Sequence, residues 1–207
     1  MHLPIAGGDL AALIIATSFA AGLNVYATVA TLGALGRANL LSLPPGLHPV
    51  MSWYVIGACV LLFIIEFFAD KIPAFDLVWN ALHTFVRVPI AALLAYGATS
   101  QLSPGMQLLA VVIGGGIALA AHGGKIAART VVTPSPEPLS NIGLSLGEDA
   151  LAVFLTWFAT RHPYWSAAIV LLALGVIVVM VRLVIRAMRA LFRGAERELS
   201  PSTPAKG

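Results

Sequence analysis

Charged residues are scarce in this sequence. Lysine, arginine, aspartate and glutamate together make up 10% of the 207 residues, whereas 59% are hydrophobic. Soluble domains usually carry about 25% charged residues, and a soluble fold of this size cannot hide so much apolar surface from water. The composition therefore excludes an ordinary soluble protein and predicts one whose main solvent is lipid.

Cysteine and the familiar catalytic motifs are also nearly absent. The single cysteine, Cys59, can form no disulfide within the chain. No GxSxG, Walker A or Rossmann glycine pattern occurs, and His83 and His122 lack the spacing of a metal-binding motif. The sequence therefore predicts no cofactor, no metal and no assignable catalytic residue. An enzyme acting on a lipid headgroup stays open as a third alternative to the two functions considered below.

Long uncharged runs are what the sequence does contain. They cover residues 10–36, 38–65, 88–124, 150–160 and 162–181. Because a spanning helix needs about 20 apolar residues, these runs predict an all-α, polytopic membrane helical bundle with about six transmembrane helices. The predicted spans are 10–35, 50–70, 82–101, 105–124, 142–160 and 164–185, in a single domain of residues 1–194 that is followed by a disordered cytoplasmic tail of residues 195–207.

Basic residues are distributed unevenly among the predicted loops. If the basic tail is cytoplasmic, six spans place the N-terminus and all of the twelve lysines and arginines except Arg37 and Arg161 on that same side. This asymmetry follows the positive-inside rule and predicts cytoplasmic N- and C-termini. The arginines of residues 182–197 favour anionic lipid headgroups as a partner, not nucleic acid.

Between Arg37 and Arg161, charge is confined to two stretches, residues 66–87 and 125–149. Both stretches have the same order: a helix end with a lysine, a proline-bearing connection, an asparagine, a charge at membrane depth and an apolar helix. That order predicts an internal repeat of two hairpins with cytoplasmic polar loops. The candidate binding or pathway residues are Asn24, Glu66, Asp70, Lys71, Asp76, Asn80, His83, Arg87, His122, Lys125, Arg129, Glu137, Asn141, Glu148 and Asp149.

The strongest candidates are the charges predicted to lie deepest. Counting about 20 residues back from the end of the fifth span places Glu148 and Asp149 roughly 10 Å inside the membrane, and Arg87 reaches a similar depth. Ionisable groups at such depth face the protein interior, pair with one another and often mark a pathway. We expect Arg87 to neutralise one of the two carboxylates, either in a proton-coupled step or in a fixed ion pair that locks the hairpins.

Two other groups have both a functional and a structural interpretation. Glu66 and Asp70 lie one helical turn apart, so their carboxylates can bind a divalent cation or share a proton. The structural interpretation is a salt bridge to Lys125 or Arg129. Together with His122, these two basic residues can bind a lipid phosphate or simply anchor the helix at the cytoplasmic surface.

The polar face of the first span also has two interpretations. Asn24, Thr28 and Thr31 share one side of the predicted helix. They form either a packing seam joined by hydrogen bonds or the lining of a pathway.

Four segments resemble a known family. They are GLNVYATVATLGALGR, EFFADKIPAFDLVWNALHTFVR, AHGGKIAART and SPEPLSNIGLSLGED. In this order, over about residues 10–162, they are similar to a bacterial integral membrane family catalogued as domain of unknown function 4126. The resemblance implies a multi-pass domain of the bacterial inner membrane and supplies no agreed activity or catalytic residue.

Two functions fit these features. Charge at membrane depth favours a small ion- or proton-linked transporter or channel, whose ion or solute the sequence does not identify. The stiff PSPEP loop and the basic tail favour a non-transporting membrane scaffold that binds lipid or a partner protein. Glycine-rich helix faces would allow either protein to form a homo-oligomer.

Overall fold

The computed structural model describes the backbone of residues 7–69, 73–132 and 138–199, and the side chains of residues 7–69, 82–129, 142–190, 192 and 193. The described residues form seven α-helices, one 3₁₀ helix and no strand. The all-α prediction is confirmed. The α-helices are α1 (Gly7–Leu23), α2 (Val25–Arg37), α3 (Trp53–Ala69), α4 (Pro73–Ala98), α5 (Pro104–Val132), α6 (Pro138–Arg161) and α7 (Pro163–Leu199), and the 3₁₀ helix is Pro45–Met51.

Proline marks the start of most of the long helices. It is the first residue of α4, α5, α6 and α7. The fixed φ of proline suits the first helical position, where its missing N–H would have no intrahelical partner in any case. The prolines that punctuate the sequence therefore set the starts of these helices.

Helix α1 lies at the centre of the molecule. It packs against α4, α5, α6 and α7, while α2 packs against α3 and α6. Small residues allow this close packing: Ala16, Ala20 and Ala21 are fully buried, and a Cβ on Gly22 would lie 2.5 Å from the carbonyl oxygen of Ala118. Because side chains from four helices converge on α1, polar groups near its end are held away from solvent.

The outer surface of the helices is apolar. Large hydrophobic side chains such as Leu61, Phe68, Leu172 and Val179 are exposed. Three helical segments, Pro104–Arg129, Ile142–Arg161 and Pro163–Ala190, are long and apolar enough to cross a membrane. A fourth span is counted if the 3₁₀ helix and α3, which meet at a bend of 63°, cross together. These features are compatible with several membrane-spanning helices.

The first predicted span differs from the structure. Residues 10–35 form not one helix but two, which are separated at Asn24. The backbone of Asn24 is extended, with φ −148° and ψ 104°, and its side chain caps α2. Asparagine prefers such a cap to the helix interior because its side chain competes for backbone hydrogen bonds.

The C-terminal part of the chain is helical beyond residue 194, the predicted end of the domain. Helix α7 continues to Leu199, so residues 195–199 of the predicted disordered tail have a helical backbone. Residues 200–207 lie outside the described part of the chain. The hairpin repeat stays a prediction.

Candidate functional site

The break between α1 and α2 is buried in the protein interior. Asn24 has no exposed surface. Its Oδ1 accepts a hydrogen bond from the backbone N–H of Ala27 at 2.9 Å, and its Nδ2 donates to Oδ1 of Asp149 at 2.9 Å. One side chain therefore caps α2 and ties it to α6. At the break, the carbonyl oxygen of Gly22 in the last turn of α1 lies 3.5 Å from Nη1 of Arg87.

Charged side chains are buried around this break. They come from α3, α4, α5 and α6, and each is at most 8% exposed. Among the described side chains, three buried carboxylates match three buried cations, so their formal charges balance. The set comprises Glu66, Glu148, Asp149, Arg87, Lys125 and Arg129. Balance matters because an uncompensated buried charge is strongly destabilising.

Arg87 lies on α4 at the centre of the site and contacts three other helices. Its Nη2 donates to Oε1 of Glu66 in a fully buried ion pair between α4 and α3. Its Nη1 donates to Nδ1 of His122 at 2.9 Å, and the same nitrogen lies 3.5 Å from the carbonyl oxygen of Gly22. The cation therefore sits near the C-terminal end of α1, where the helix dipole is negative.

The contact with Arg87 fixes the protonation of His122. A guanidinium nitrogen can only donate, so Nδ1 of His122 must accept and the ring proton must be on Nε2. That nitrogen lies 2.8 Å from Oγ1 of Thr84 and donates to it. A second proton on Nδ1 would place two donors face to face. His122 is therefore neutral in this arrangement, and its protonation requires Arg87 to move.

A second ionic group links α5 to α6. Oε2 of Glu148 accepts from Nη2 of Arg129 at 2.9 Å and lies 3.1 Å from Nζ of Lys125. All three side chains are buried. The group holds the two helices together beside Asp149.

Tyr26 and His83 form a third polar contact. The hydroxyl of Tyr26 lies 3.1 Å from Nε2 of His83, and the two rings meet edge to face at 5.7 Å. Tyr26, Thr84 and Gly22 are site residues that the sequence analysis missed. Their positions in the sequence could have indicated them. Gly22 and Tyr26 lie two residues before and after Asn24, and Thr84 lies about one helical turn before Arg87.

The pairing expected for Arg87 was wrong. Among the described contacts, Arg87 pairs with Glu66 and not with Glu148 or Asp149. The salt bridge expected between Glu66 and Lys125 or Arg129 is likewise not formed, because Glu66 pairs with Arg87. The physical reason is which helices supply the partners: Lys125 and Arg129 on α5 both contact Glu148 on α6.

Several predicted site residues cannot be placed in this cluster. Asp70, Lys71 and Glu137 lie outside the described residues. Only the backbone is described for Asp76 and Asn80 in α4 and for Asn141 in α6. Within the searched part of the chain, no group of three or more histidine, cysteine or acidic side chains is placed to hold a metal ion.

The chain belongs to the family described as Domain of unknown function (DUF4126), which matches residues 11–183. This match confirms the family that the four sequence segments predicted. No curated protein and no solved structure matches the chain. The buried cluster is therefore the basis for assigning a function.

Proposed function

We propose that this DUF4126 member is a multi-pass protein of the bacterial inner membrane that moves an ion or a proton past the break between α1 and α2. The observation that carries the proposal is the buried break at Asn24 among balanced charges from four other helices. At membrane depth, non-helical backbone is tolerated only where it is buried in protein or lines a cavity. In many transporters, discontinuous helices use their free ends to bind the substrate or coupling ion.

The ion pair of Arg87 and Glu66 supports an exchange of protons or ions. Oε2 of Glu66 and Nε of Arg87 are buried and have no hydrogen-bond partner among the described residues. Such atoms are rare in folded proteins and call for a reason. A carboxylate oxygen in this position accepts a proton or coordinates a cation as the ion passes.

His122 supplies the link between protonation and conformation. A proton added to Nδ1 expels Arg87 from its present position, because the two donors then repel each other. Arg87 in turn holds Glu66 of α3 and lies beside the end of α1. Protonation of one ring therefore loosens the contacts that fix α3 and the helix break, which is the kind of two-state coupling that proton-linked transport requires.

Flux measurements on reconstituted protein test this proposal. The full chain is placed in liposomes containing a pH-sensitive dye, and proton entry is followed under an imposed gradient, with K⁺, Na⁺ and Cl⁻ varied in turn. We expect flux above that of protein-free liposomes and a loss of at least about tenfold in the double variant Glu66→Gln, Arg87→Gln, which removes the carboxylate that accepts the proton together with its buried partner.

Arg161→Gln is the matched control, because this charge is exposed at the end of α6. It should leave the flux unchanged. Flux that survives in the double variant would refute the role given to the ion pair of Glu66 and Arg87, and no proton flux with any of the tested ions would refute proton-linked transport.

A non-transporting scaffold is the second candidate function. It is favoured by exposed arginines at helical spacing on α7, namely Arg182, Arg186, Arg189 and Arg193. Such a row can bind anionic lipid headgroups at the cytoplasmic surface. If the scaffold is correct, changing these arginines to glutamine weakens binding to anionic lipid and the liposomes show no flux.

A further inference from the structure

Helices α1 and α2 are each too short to cross a membrane alone. They have 17 and 13 residues, which at the helical rise gives lengths of about 26 and 20 Å. The hydrocarbon core of a bilayer is about 30 Å thick. The pair therefore crosses the membrane together as one broken span, or it enters and leaves at the same face as a re-entrant hairpin. The contacts of the two helices distinguish these arrangements.

The start of α1 lies beside the end of α4. Gly7, the first residue of α1, lines the same cavity as Thr99 and Leu102, which follow the last residue of α4. The chain then turns back into α5 at Pro104. The start of α1 is therefore at the end of the molecule where α4 finishes and α5 begins.

The end of α2 lies at this same end of the molecule. It packs against the 3₁₀ helix, which in turn packs against α4. A Cβ on Gly36, near the end of α2, would lie 2.7 Å from Cδ1 of Leu43. Three residues later, the backbone N–H of Gly46 donates to Oγ of Ser100, just past the end of α4, at 3.1 Å. The two outer ends of the α1–α2 pair are therefore on one side.

The junction between α1 and α2 lies far from that side. The carbonyl oxygen of Gly22, two residues before Asn24, is 3.5 Å from Nη1 of Arg87. Arg87 precedes Ala98, the last residue of α4, by about three helical turns, or roughly 16 Å. The chain therefore descends along α1 to Asn24 and returns along α2. Non-helical backbone at such depth is tolerated where it is buried in protein, as Asn24 is.

We propose that α1 and α2 form a re-entrant hairpin in the membrane, with Asn24 at its tip and both outer ends at the face opposite the basic tail. Helices α3 to α7 then cross once each, and the N-terminus lies on the other side of the membrane from the C-terminus. This differs from the cytoplasmic N-terminus that six spans predict. No lysine or arginine precedes Arg37, so the positive-inside rule does not hold the N-terminus in the cytoplasm.

The hairpin fills the half of the bundle between its tip and the outer face. Small and apolar side chains of α4, α5 and α6 pack against it there, among them Ala95, Ala118, Ala152 and Leu155. Among the described side chains, every buried charge lies instead at the tip or on its cytoplasmic side. Because charge is costly in an apolar environment, the hairpin seals the cluster from the outer face. The cluster therefore exchanges protons or ions with the cytoplasm, a consequence that rests on the proposed function.

Cysteine labelling in whole cells, in a Cys59→Ala background, tests the hairpin. Gly7→Cys is suited to it because no described atom lies within 4 Å of an added Cβ, and Ser42→Cys is at an exposed position after α2. We expect a membrane-impermeant maleimide to label both in intact cells. A single broken span would place these two sites on opposite sides, so labelling of only one of them would overturn the proposal.

A second site covers the case in which Gly7→Cys reacts on neither side. His2→Cys, five residues nearer the N-terminus, should then be labelled together with Ser42→Cys in intact cells. Labelling of His2→Cys only after the membrane is permeabilised would overturn the hairpin.

Small thiol reagents test the seal. Thr84→Cys, beside His122, should react with a charged methanethiosulfonate in inside-out vesicles and not in right-side-out vesicles. Thr28→Cys, fully buried one turn beyond the tip on α2, is the control and should react in neither. Reaction of Thr84→Cys from the outer face alone would overturn the sealed outer half.

The labelling results are independent of flux. Labelling of Gly7→Cys and Ser42→Cys on one side without any proton flux would support the hairpin and refute proton-linked transport. Proton flux with the two sites on opposite sides would refute the hairpin alone.

Discussion

At the scale of single residues, Asn24 determines how the first predicted span is divided. It provides the cap of α2 and the hydrogen bond to Asp149 from one buried amide. Neither contact can be made by a hydrocarbon side chain. An asparagine in an uncharged run therefore indicates a helix start as well as a polar contact.

Replacing Asn24 by alanine should destabilise the protein. Loss of an N-cap typically costs about 1 kcal/mol, and leaving a buried carboxylate with one donor fewer costs about 1–3 kcal/mol more. Chemical denaturation in mixed detergent micelles measures the change. Ser42→Ala, at an exposed position before the 3₁₀ helix, is the control and should change stability little. Equal stabilities of the two variants would contradict the capping role.

Glu66 and Arg87 should show strong coupling. Arg87→Gln or Glu66→Gln alone leaves a fully buried charge without its partner, which typically costs about 3–5 kcal/mol. The double variant removes both charges, so it should be more stable than either single variant. Thermal unfolding of the four proteins completes a double-mutant cycle. Additive effects in that cycle would show that the pair is not coupled.

At the scale of helices, the close packing of α1 on α5 depends on glycine at position 22, which has no side chain. A Cβ on Gly22 would lie 2.5 Å from the carbonyl oxygen of Ala118 and 2.7 Å from the Cβ of Ala121. Neither atom is the end of a flexible side chain. The two helices would have to separate, and the contact of Arg87 with the end of α1 would change with them.

Gly22→Ala should therefore cost stability, by about 1–3 kcal/mol, as overpacking usually does. Gly116→Ala on α5 is the matched control, because no described atom lies within 4 Å of its added Cβ. That change should be neutral or stabilising by up to about 1 kcal/mol, since alanine is the better helix former. Denaturation of both variants under the same conditions compares them, and similar losses would contradict the close approach.

The sequence predicted where the helices lie along the chain better than it predicted which helices pack side by side. Uncharged length indicated α3 to α7, because hydropathy is a local property of the sequence. The break at Asn24 was missed, since hydropathy does not distinguish one capped junction within an apolar run from continuous helix. The partner of Arg87 was missed for a different reason. Pairing depends on which helices lie side by side, and α4 packs against α5 and also contacts α3, so Arg87 reaches His122 and Glu66.

At the scale of the whole molecule, the buried charges were identifiable individually but not as a balanced set. Depth within a span marked Arg87, Glu148 and Asp149, because charge in an apolar helix is costly wherever it occurs. Balance is a property of the assembled helices. The three cations offset the three carboxylates only once α3 to α6 enclose the break.

The distribution of basic residues predicts the direction in which this cluster faces. All of the twelve lysines and arginines except Arg37 and Arg161 fall on the side predicted to be cytoplasmic, as the positive-inside rule requires. Thiol labelling in whole cells tests this orientation in a Cys59→Ala background. A membrane-impermeant maleimide should label His162→Cys in intact cells, whereas Ser202→Cys should react only after the membrane is permeabilised. The reverse pattern would place Glu66 and Arg87 nearer the outer face and would reverse the side from which a proton reaches His122.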